Sequence, residues 1–146
     1  MQIIEKEAFW VTGITVQAKW NELWEKMPKV WKEMFERYRE IENRKEDVLL
    51  DISLEVKNDI YTQFIGTKVT GGNEDTPEGM KTVHIPAKNY IHQKHTGPLK
   101  EIATTFGEIY DWANKNNINT GNFKLDVGYV PSGDENYHDL YVEIEN

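Results

Sequence analysis

The chain has 146 residues, enough for one domain with a sizeable buried core, and its charge and cysteine content exclude several kinds of site. With 25 acidic against 17 basic residues, the net charge is −8, which opposes direct binding to nucleic-acid phosphates. The absence of cysteine excludes disulfides, zinc–thiolate sites and thiol nucleophiles. The N-terminal stretch lacks the apolar run of a signal peptide, and no segment reaches the ~20 apolar residues of a membrane span. We expect a single cytoplasmic domain over residues 1–146, with no membrane contact, cofactor or metal.

The first half of the chain predicts a strand, a long helix and a hairpin. Residues 2–18 are rich in β-formers, and a bulge or bend is expected at Gly13. Apolar residues at steps of three and four from residue 24 to residue 41 predict an amphipathic helix, which Pro28 is expected to kink or divide. Residues 48–56 and 60–69 are then predicted as two strands joined by a short turn.

The second half repeats this order after a polar loop at residues 71–80. Two extended segments flank Pro86, and a second amphipathic helix is predicted from Leu99 onwards. A second hairpin is predicted from residues 123–130 and 137–144. The predicted fold is therefore α+β, with two βαββ halves (about 1–70 and 80–146) that form one mostly antiparallel sheet with two main helices on one face.

The two histidines of segment 89–112 do not predict a metal site. His92 and His95 lie three apart in a predicted strand, so their side chains point to opposite faces and cannot hold one ion. The Gly-Pro pair at 97–98 is typical of the start of a helix. The segment therefore predicts a strand, a turn and an aromatic-rich helix.

This segment also resembles the signature of a known family. Residues 90–98, YIHQKHTGP, followed by Phe106, the Ile109-Tyr110 pair and Trp112, are similar to the strand–turn–helix motif of the GyrI-like effector-binding domains. Short stretches elsewhere agree with the same family, namely residues 9–14 (FWVTGI), 77–80 (PEGM), 85–86 (IP) and 139–142 (DLYV). Such domains occur alone and as the ligand-sensing part of AraC-type and MerR-type transcription regulators. The resemblance covers essentially the whole chain.

The resemblance implies a duplicated βαββ fold with a ligand-binding cleft between the halves. In relatives this cleft has aromatic walls and an acidic residue, and it binds small molecules that are often cationic and lipophilic. Some stand-alone relatives are reported as inhibitors of DNA gyrase and others as hydrolases of strained natural products. The chain departs from the family twice. Asp126 and Gly128 stand where the family has a glutamate and, two residues later, a tyrosine, and residues 143–144 (EI) replace its final Ile-Pro pair.

Asp126 is the main candidate for a ligand-binding residue. Alternation along strand 123–130 places it on the face of Lys124 and on the face opposite to Tyr129. From spacing alone, that face is either exposed to solvent or turned to the cleft. A carboxylate in an apolar cleft is costly unless it is paired, and a cationic ligand would supply the partner.

Three further candidates lie on the predicted outer strands. Tyr141, expected on the strand next to Asp126, corresponds to an aromatic residue of the family's pocket, and packing against a helix is its alternative role. Glu143 follows on the same face as a second candidate acid, with exposure to solvent as the alternative. Tyr90 is a further family-like pocket position.

The helices supply the remaining candidates. Phe106 and Tyr110 are four residues apart and share a helix face, whereas Trp112 is rotated by roughly 160° from Tyr110. Trp24 and Trp31 belong to a stripe rich in tryptophan and methionine, a composition that suits both a core and an adaptable binding surface.

These observations favour a stand-alone small-molecule-binding protein, a sensor or a sequestering protein, whose ligand is lipophilic and cationic or aromatic. One alternative is a hydrolase that uses a carboxylate–tyrosine pair in the same cleft. No serine nucleophile is predicted, since neither Ser53 nor Ser132 lies in a G-x-S-x-G elbow. The other alternative is an inhibitor that binds a DNA-handling protein partner such as gyrase.

Overall fold

The computed structural model describes residues 1–72 and 75–145, which contain eight strands and two α-helices. The strands are β1 (Gln2–Lys6), β2 (Phe9–Lys19), β3 (Arg44–Lys57), β4 (Ile60–Val69), β5 (Lys81–Ile85), β6 (Lys88–His95), β7 (Thr120–Tyr129) and β8 (His138–Ile144). The helices are α1 (Trp20–Arg37) and α2 (Ile102–Lys115). In the described ranges, neither helix is long and apolar enough to cross a membrane. Residues 73 and 74 of the predicted polar loop lie outside the described residues.

All eight strands form one antiparallel sheet in the order β1-β6-β8-β7-β3-β4-β2-β5. The unit β2-α1-β3-β4 fills one side of this order and the unit β6-α2-β7-β8 mirrors it on the other, with β3 and β7 paired at the centre. The predicted α+β class with two βαββ halves is confirmed. The edge strands are exchanged, because β1 pairs with the second half and β5 with the first.

The exchange of edge strands forces the sheet to curl. Only residues 7 and 8 connect β1 to β2. The Cα atoms of Lys6 and Phe9, which flank this link, therefore lie at most about 11 Å apart. Those strands stand six positions apart in the sheet, which would be roughly 29 Å in a flat sheet. The ammonium group of Lys6 accordingly lies 4.6 Å from the ring centroid of Tyr141 and 6.0 Å from that of Phe9. The concave face encloses a core of buried side chains, among them Phe9, Val11, Leu50, Ile52, Phe64 and Leu125.

Gly13 lies in β2 without the predicted bulge. The pairing of β2 with β4 runs in unbroken register through Gly13, which lies opposite Gly66. A Cβ atom on either glycine would collide with the backbone of the facing strand. The glycines therefore permit a close backbone approach, which a sequence with one glycine in a strand does not distinguish from a bulge.

Both helices lie on the convex face. α1 packs on β2 and β4, with Met34 buried against Leu49 and Ile65, and α2 packs on β6 and β8. α1 is a single helix that contains Pro28, so of the two predicted alternatives, a kink or a division at this proline, the division is wrong. Because Pro28 has no N–H, the carbonyl of Trp24 lacks its usual partner in the helix. Between the helices, the central strands β3 and β7 remain uncovered and form the floor of a cleft.

Candidate functional site

A cleft of about 870 Å³ separates α1 from α2 and is called the aromatic cleft below. The wall from α1 consists of Trp20, Leu23, Trp24, Met27, Pro28 and Trp31. The wall from the α2 side consists of Leu99, Ile102, Ala103, Phe106, Gly107 and Tyr110. The polar part of the floor includes Asp51, Ser53, Gln63, Lys124, Asp126 and Tyr129. The cleft therefore combines two apolar walls with a polar, charged floor.

Large aromatic rings stand in water at the mouth of the aromatic cleft. Trp24 is 73% exposed and Trp20 is 60% exposed, and the two rings meet edge to face at 6.2 Å. Deeper in the cleft, Trp31 packs against Tyr129, with ring centroids 4.3 Å apart. Helical spacing places these tryptophans on one face of α1, and exposed aromatic surface of this kind marks a binding region.

Asp126 is the most enclosed polar group of the floor, with 6% of its surface exposed. The hydroxyl of Tyr129 donates to its Oδ2 at 2.5 Å, and Nδ1 of His138 lies 2.8 Å from its Oδ1. Burial disfavours a charged imidazole at His138, but the hydrogen bond and charge of Asp126, together with Glu135, outweigh burial and raise the pKa of His138. Each carboxylate oxygen of Asp126 therefore has a hydrogen-bond partner. The raised pKa of one of these partners, His138, favours its cationic form.

Asp51 lies directly across from Asp126 on the neighbouring central strand. Its Oδ1 accepts a hydrogen bond of 3.0 Å from the amide of Gln63. Burial, and next the negative charge of Asp126, raise the pKa of Asp51 to about 7, although Gln63 and Lys124 act in the opposite direction. The floor therefore holds a carboxyl group that titrates near neutral pH.

Lys124 places a cation of the protein itself against the α2 wall. Its ammonium group lies 5.0 Å from the ring centroid of Phe106 and 5.8 Å from that of Tyr110. Burial lowers the pKa of Lys124, and the nearby Asp51 opposes this. The arrangement is a cation–π contact, the kind of contact that a bound organic cation would make.

The structure divides the predicted site residues between the two faces of the sheet. Asp126, Phe106, Tyr110, Trp24 and Trp31 line the aromatic cleft. Trp112 does not line the cleft and packs, partly exposed, against the buried residues beneath α2.

Tyr141, Tyr90 and Glu143 lie on the concave face, away from the aromatic cleft. Tyr141 pairs with Leu125, so it shares the face of Leu125 and not that of Asp126. Glu143 forms an ion pair of 2.8 Å with Lys88, and Tyr90 packs edge to face on Tyr141. The expectation that Tyr141 and Asp126 share one pocket is therefore wrong.

Spacing alone does not predict Tyr129 as a residue of the cleft, because the alternation of faces along β7 changes at Gly128. Regular alternation assigns Tyr129 to the face opposite Asp126, but the register of β7 against β3 shifts between Leu49 and Leu50. Gly128, at φ 141°, is the extra residue of this bulge, and its insertion returns Tyr129 to the face of Asp126. The glycine inside this predicted strand is the sequence feature that could have indicated the bulge. Asp51, which lies between the apolar residues Leu50 and Ile52 of β3, was also not predicted as a site residue.

The histidines of β6 lie on opposite faces, as predicted. His95 is buried, with Nδ1 2.7 Å from the Thr105 hydroxyl and Nε2 3.0 Å from the Pro98 carbonyl. His92 lies 2.8 Å from Asp139. Within residues 1–72 and 75–145, no group of three or more histidine, aspartate or glutamate side chains is placed to hold a metal ion.

Comparison with known proteins supports an effector-binding domain. The family model of the integron-associated effector binding protein matches residues 2–145. No curated protein matches the chain in sequence.

Similar solved structures share the fold at low sequence identity. SAV2435 bound to tetraphenylphosphonium aligns with a TM-score of 0.77 and 9% identity, over 99% of this chain and 93% of the other. The integron cassette protein VCH_CASS2 of Vibrio cholerae aligns with a TM-score of 0.70 and 12% identity, over 99% and 95%. The C-terminal domain of EcmrR aligns with a TM-score of 0.68 and 12% identity, over 99% and 96%.

Proposed function

The chain belongs to the family of integron-associated effector binding proteins, and on this basis we propose that it captures a lipophilic, cationic small molecule in the aromatic cleft. The observation that carries the proposal is a cleft with tryptophan-rich and aromatic walls above two neighbouring aspartates, Asp51 and Asp126. The protein acts through this binding as a sensor or by sequestering the ligand.

The size and the lining of the cleft support a drug-sized ligand. A volume of about 870 Å³ falls in the range of small-molecule sites, roughly 300–1,000 Å³. Flat rings on both walls offer stacking and cation–π contacts at a small cost in side-chain entropy. The carboxylates of the floor supply the negative charge that a lipophilic cation requires after it leaves water.

A similar structure indicates a suitable probe. SAV2435 shares the fold and binds tetraphenylphosphonium, a permanent cation surrounded by four phenyl rings. A cation of this kind has no hydrogen-bond donor, so its recognition depends on aromatic contact and on charge alone. These are the two properties that the aromatic cleft combines.

Titration by tryptophan fluorescence tests the proposal. Tetraphenylphosphonium is expected to quench the native emission saturably at micromolar concentration, whereas an anionic dye of similar size is expected not to bind. Trp24→Phe, in the cleft wall, should reduce the quenching. Trp10 lies outside the cleft, against His84. The matched control Trp10→Phe should therefore leave the fractional quenching of tryptophan emission almost unchanged. Absence of saturable quenching by cationic probes would refute the proposal.

A second function, hydrolysis of a reactive small molecule, is favoured by the aspartate pair. Asp51 retains a proton near neutral pH and lies directly across from Asp126, so the two carboxyls fit the roles of general acid and general base. With a strained substrate such as styrene oxide, the oxygen of a water molecule would bond to a ring carbon as Asp126 takes a proton from that water. The ring C–O bond would break as Asp51 protonates its oxygen, giving the diol. Chromatography of the diol tests this function, and turnover that survives Asp51→Asn and Asp126→Asn would exclude it.

A further inference from the structure

Asp126 has little capacity left for a ligand's charge. Both of its oxygens are occupied, one by the hydroxyl of Tyr129 and the other by the ring of His138. His138 is 2% exposed and lies 3.5 Å from Glu135. A protonated imidazole at 2.8 Å compensates the negative charge of the carboxylate, so an incoming cation would have to compete with His138.

Asp51 is far less compensated. Among the residues that the structure describes, Gln63 alone donates a hydrogen bond to its carboxyl group, and that bond is made to Oδ1. The nearest cation is Lys124, whose ammonium group lies over the rings of the α2 wall and forms no ion pair within the described part of the chain. The second oxygen of Asp51 is therefore available in a cleft with apolar walls.

The titratable groups that line the cleft with Asp51, and its hydrogen-bond partner Gln63, come from three elements. β7 contributes Asp126, Lys124 and the phenol of Tyr129, β4 contributes Gln63 and the phenol of Tyr61, and α2 contributes the phenol of Tyr110. The residues of α1 that line the cleft carry no charge. Apart from the phenols, the ionisable neighbours are one acid and one base, so they leave the charge of Asp51 without a dedicated partner.

We propose that Asp51, and not Asp126, is the carboxyl group that recognises the positive charge of the ligand, and that the cation displaces the proton of Asp51 when it binds. The inference rests on the proposed function, because it assigns the charge recognition of the same cleft. The balance is simple: the protonated acid and the cation become a carboxylate–cation pair, and one proton goes to the solvent. Asp126 instead fixes the floor through Tyr129 and His138.

The proposal gives cation binding a definite pH dependence. The pKa of Asp51 without ligand is about 7. Below that pH a cation must displace the proton, so its affinity falls up to about tenfold for each unit of acidification. Above that pH the affinity is constant. A neutral ligand releases no proton and shows no such dependence.

Calorimetric titration with two probes tests the assignment. Tetraphenylphosphonium is the cationic probe, and N-phenyl-1-naphthylamine is the neutral lipophilic one. For the wild type, tetraphenylphosphonium affinity is expected to rise from pH 5.5 to pH 7 and to level off by pH 8.5. Buffers of different ionisation enthalpy should report release of about half a proton per cation at pH 7. This last measurement needs no variant.

Three matched substitutions then locate the charge. Asp51→Asn is expected to weaken tetraphenylphosphonium binding at least tenfold at pH 8.5, to remove its pH dependence, and to change binding of the neutral probe less than twofold. Asp126→Asn should weaken the cation less than Asp51→Asn does. Asp111→Asn, exposed on α2, should change neither probe.

The outcomes separate this assignment from the proposed function. If the wild type binds tetraphenylphosphonium but Asp126→Asn abolishes binding and Asp51→Asn does not, the assignment is overturned and the proposed function stands. The same conclusion follows if the wild type binds the cation without releasing a proton. If the wild type binds the neutral probe and no cation at any pH, both the cationic ligand class and the role of Asp51 are overturned.

Discussion

The substitution Asp51→Asn is expected to raise the free energy of unfolding at pH 8 and to leave it almost unchanged near pH 3.5. Burial beside Asp126 raises the pKa of Asp51 to about 7 in the folded protein, from 3.8 in the unfolded chain. Below pH 3.8 both states are protonated, so the group contributes nothing. Between these values the folded state retains a proton that the unfolded state has lost, and stability falls as the pH rises. Above pH 7 the loss is complete and constant.

The size of the effect follows from the same two values. Each unit of pKa difference corresponds to ~1.4 kcal/mol, so a shift of about three units gives an upper limit of about 4 kcal/mol. Because water reaches part of the side chain, an effect of about 1 to 4 kcal/mol is expected. Asparagine is nearly isosteric and has no charge to desolvate, and its carbonyl can still accept the hydrogen bond from Gln63.

Urea denaturation followed by tryptophan fluorescence at pH 3.5, 6 and 8 measures the difference between variant and wild type. Taking this difference cancels other titrations, including that of His138, whose raised pKa favours the folded state at low pH and loses that contribution as the pH rises. The exposed substitution Asp111→Asn should leave stability unchanged at all three pH values. A variant that is less stable than the wild type at pH 8, or a difference that does not grow with pH, would show that the ionised Asp51 is not destabilising.

Three further substitutions have defined outcomes. Tyr129→Phe removes a hydrogen bond to the buried Asp126 and should lower the free energy of unfolding by about 1 to 3 kcal/mol in urea denaturation. Lys124→Met removes a like charge from the cleft and frees the ring of Phe106, so tetraphenylphosphonium should bind several-fold tighter at pH 8.5, above the wild-type pKa of Asp51 of about 7. Gly128→Ala forces a Cβ into backbone at φ 141° and 2.9 Å from the Tyr137 carbonyl, and should cost about 1 to 3 kcal/mol in the same denaturation assay.

Each of these has a control within the chain. Tyr137→Phe removes an exposed phenol and should not match the loss of Tyr129→Phe. Lys115→Met removes a lysine outside the cleft, and an equal gain in cation affinity would attribute the effect of Lys124→Met to net charge. Gly107→Ala adds a methyl group to open space in α2, so a loss as large as that of Gly128→Ala would argue against strain at the bulge.

Hydrophobic periodicity was sufficient to predict the two βαββ halves, but it joined β1 and β2 into one strand over residues 2–18. The shared helix face of Phe106 and Tyr110, and the opposite faces of His92 and His95, also follow from spacing alone, because the repeat of each element is fixed by its backbone. The place of Asp126 in a cleft was one of two alternatives that spacing left open, and the structure places it in the cleft floor.

What the sequence did not predict depends on register and on long-range pairing. One inserted residue at Gly128 reverses the face of Tyr129, and the pairing of Tyr141 with Leu125 decides which side of the sheet it occupies. The elevated pKa of Asp51 exists because β3 pairs with β7 in a register that sets it opposite Asp126. No local pattern around Asp51 encodes that neighbour.

The exchanged edge strands restrict how a ligand can enter. Residues 7–8 and 86–87 each cross from one half of the sheet to the other, so the halves are tied together at both edges of the curled sheet. A hinge that opens the two halves like a clamp would have to stretch both of these two-residue links or unzip β1 and β5. Access to the aromatic cleft therefore depends on side-chain movement at its mouth, where Trp20 and Trp24 are exposed, and not on opening of the sheet.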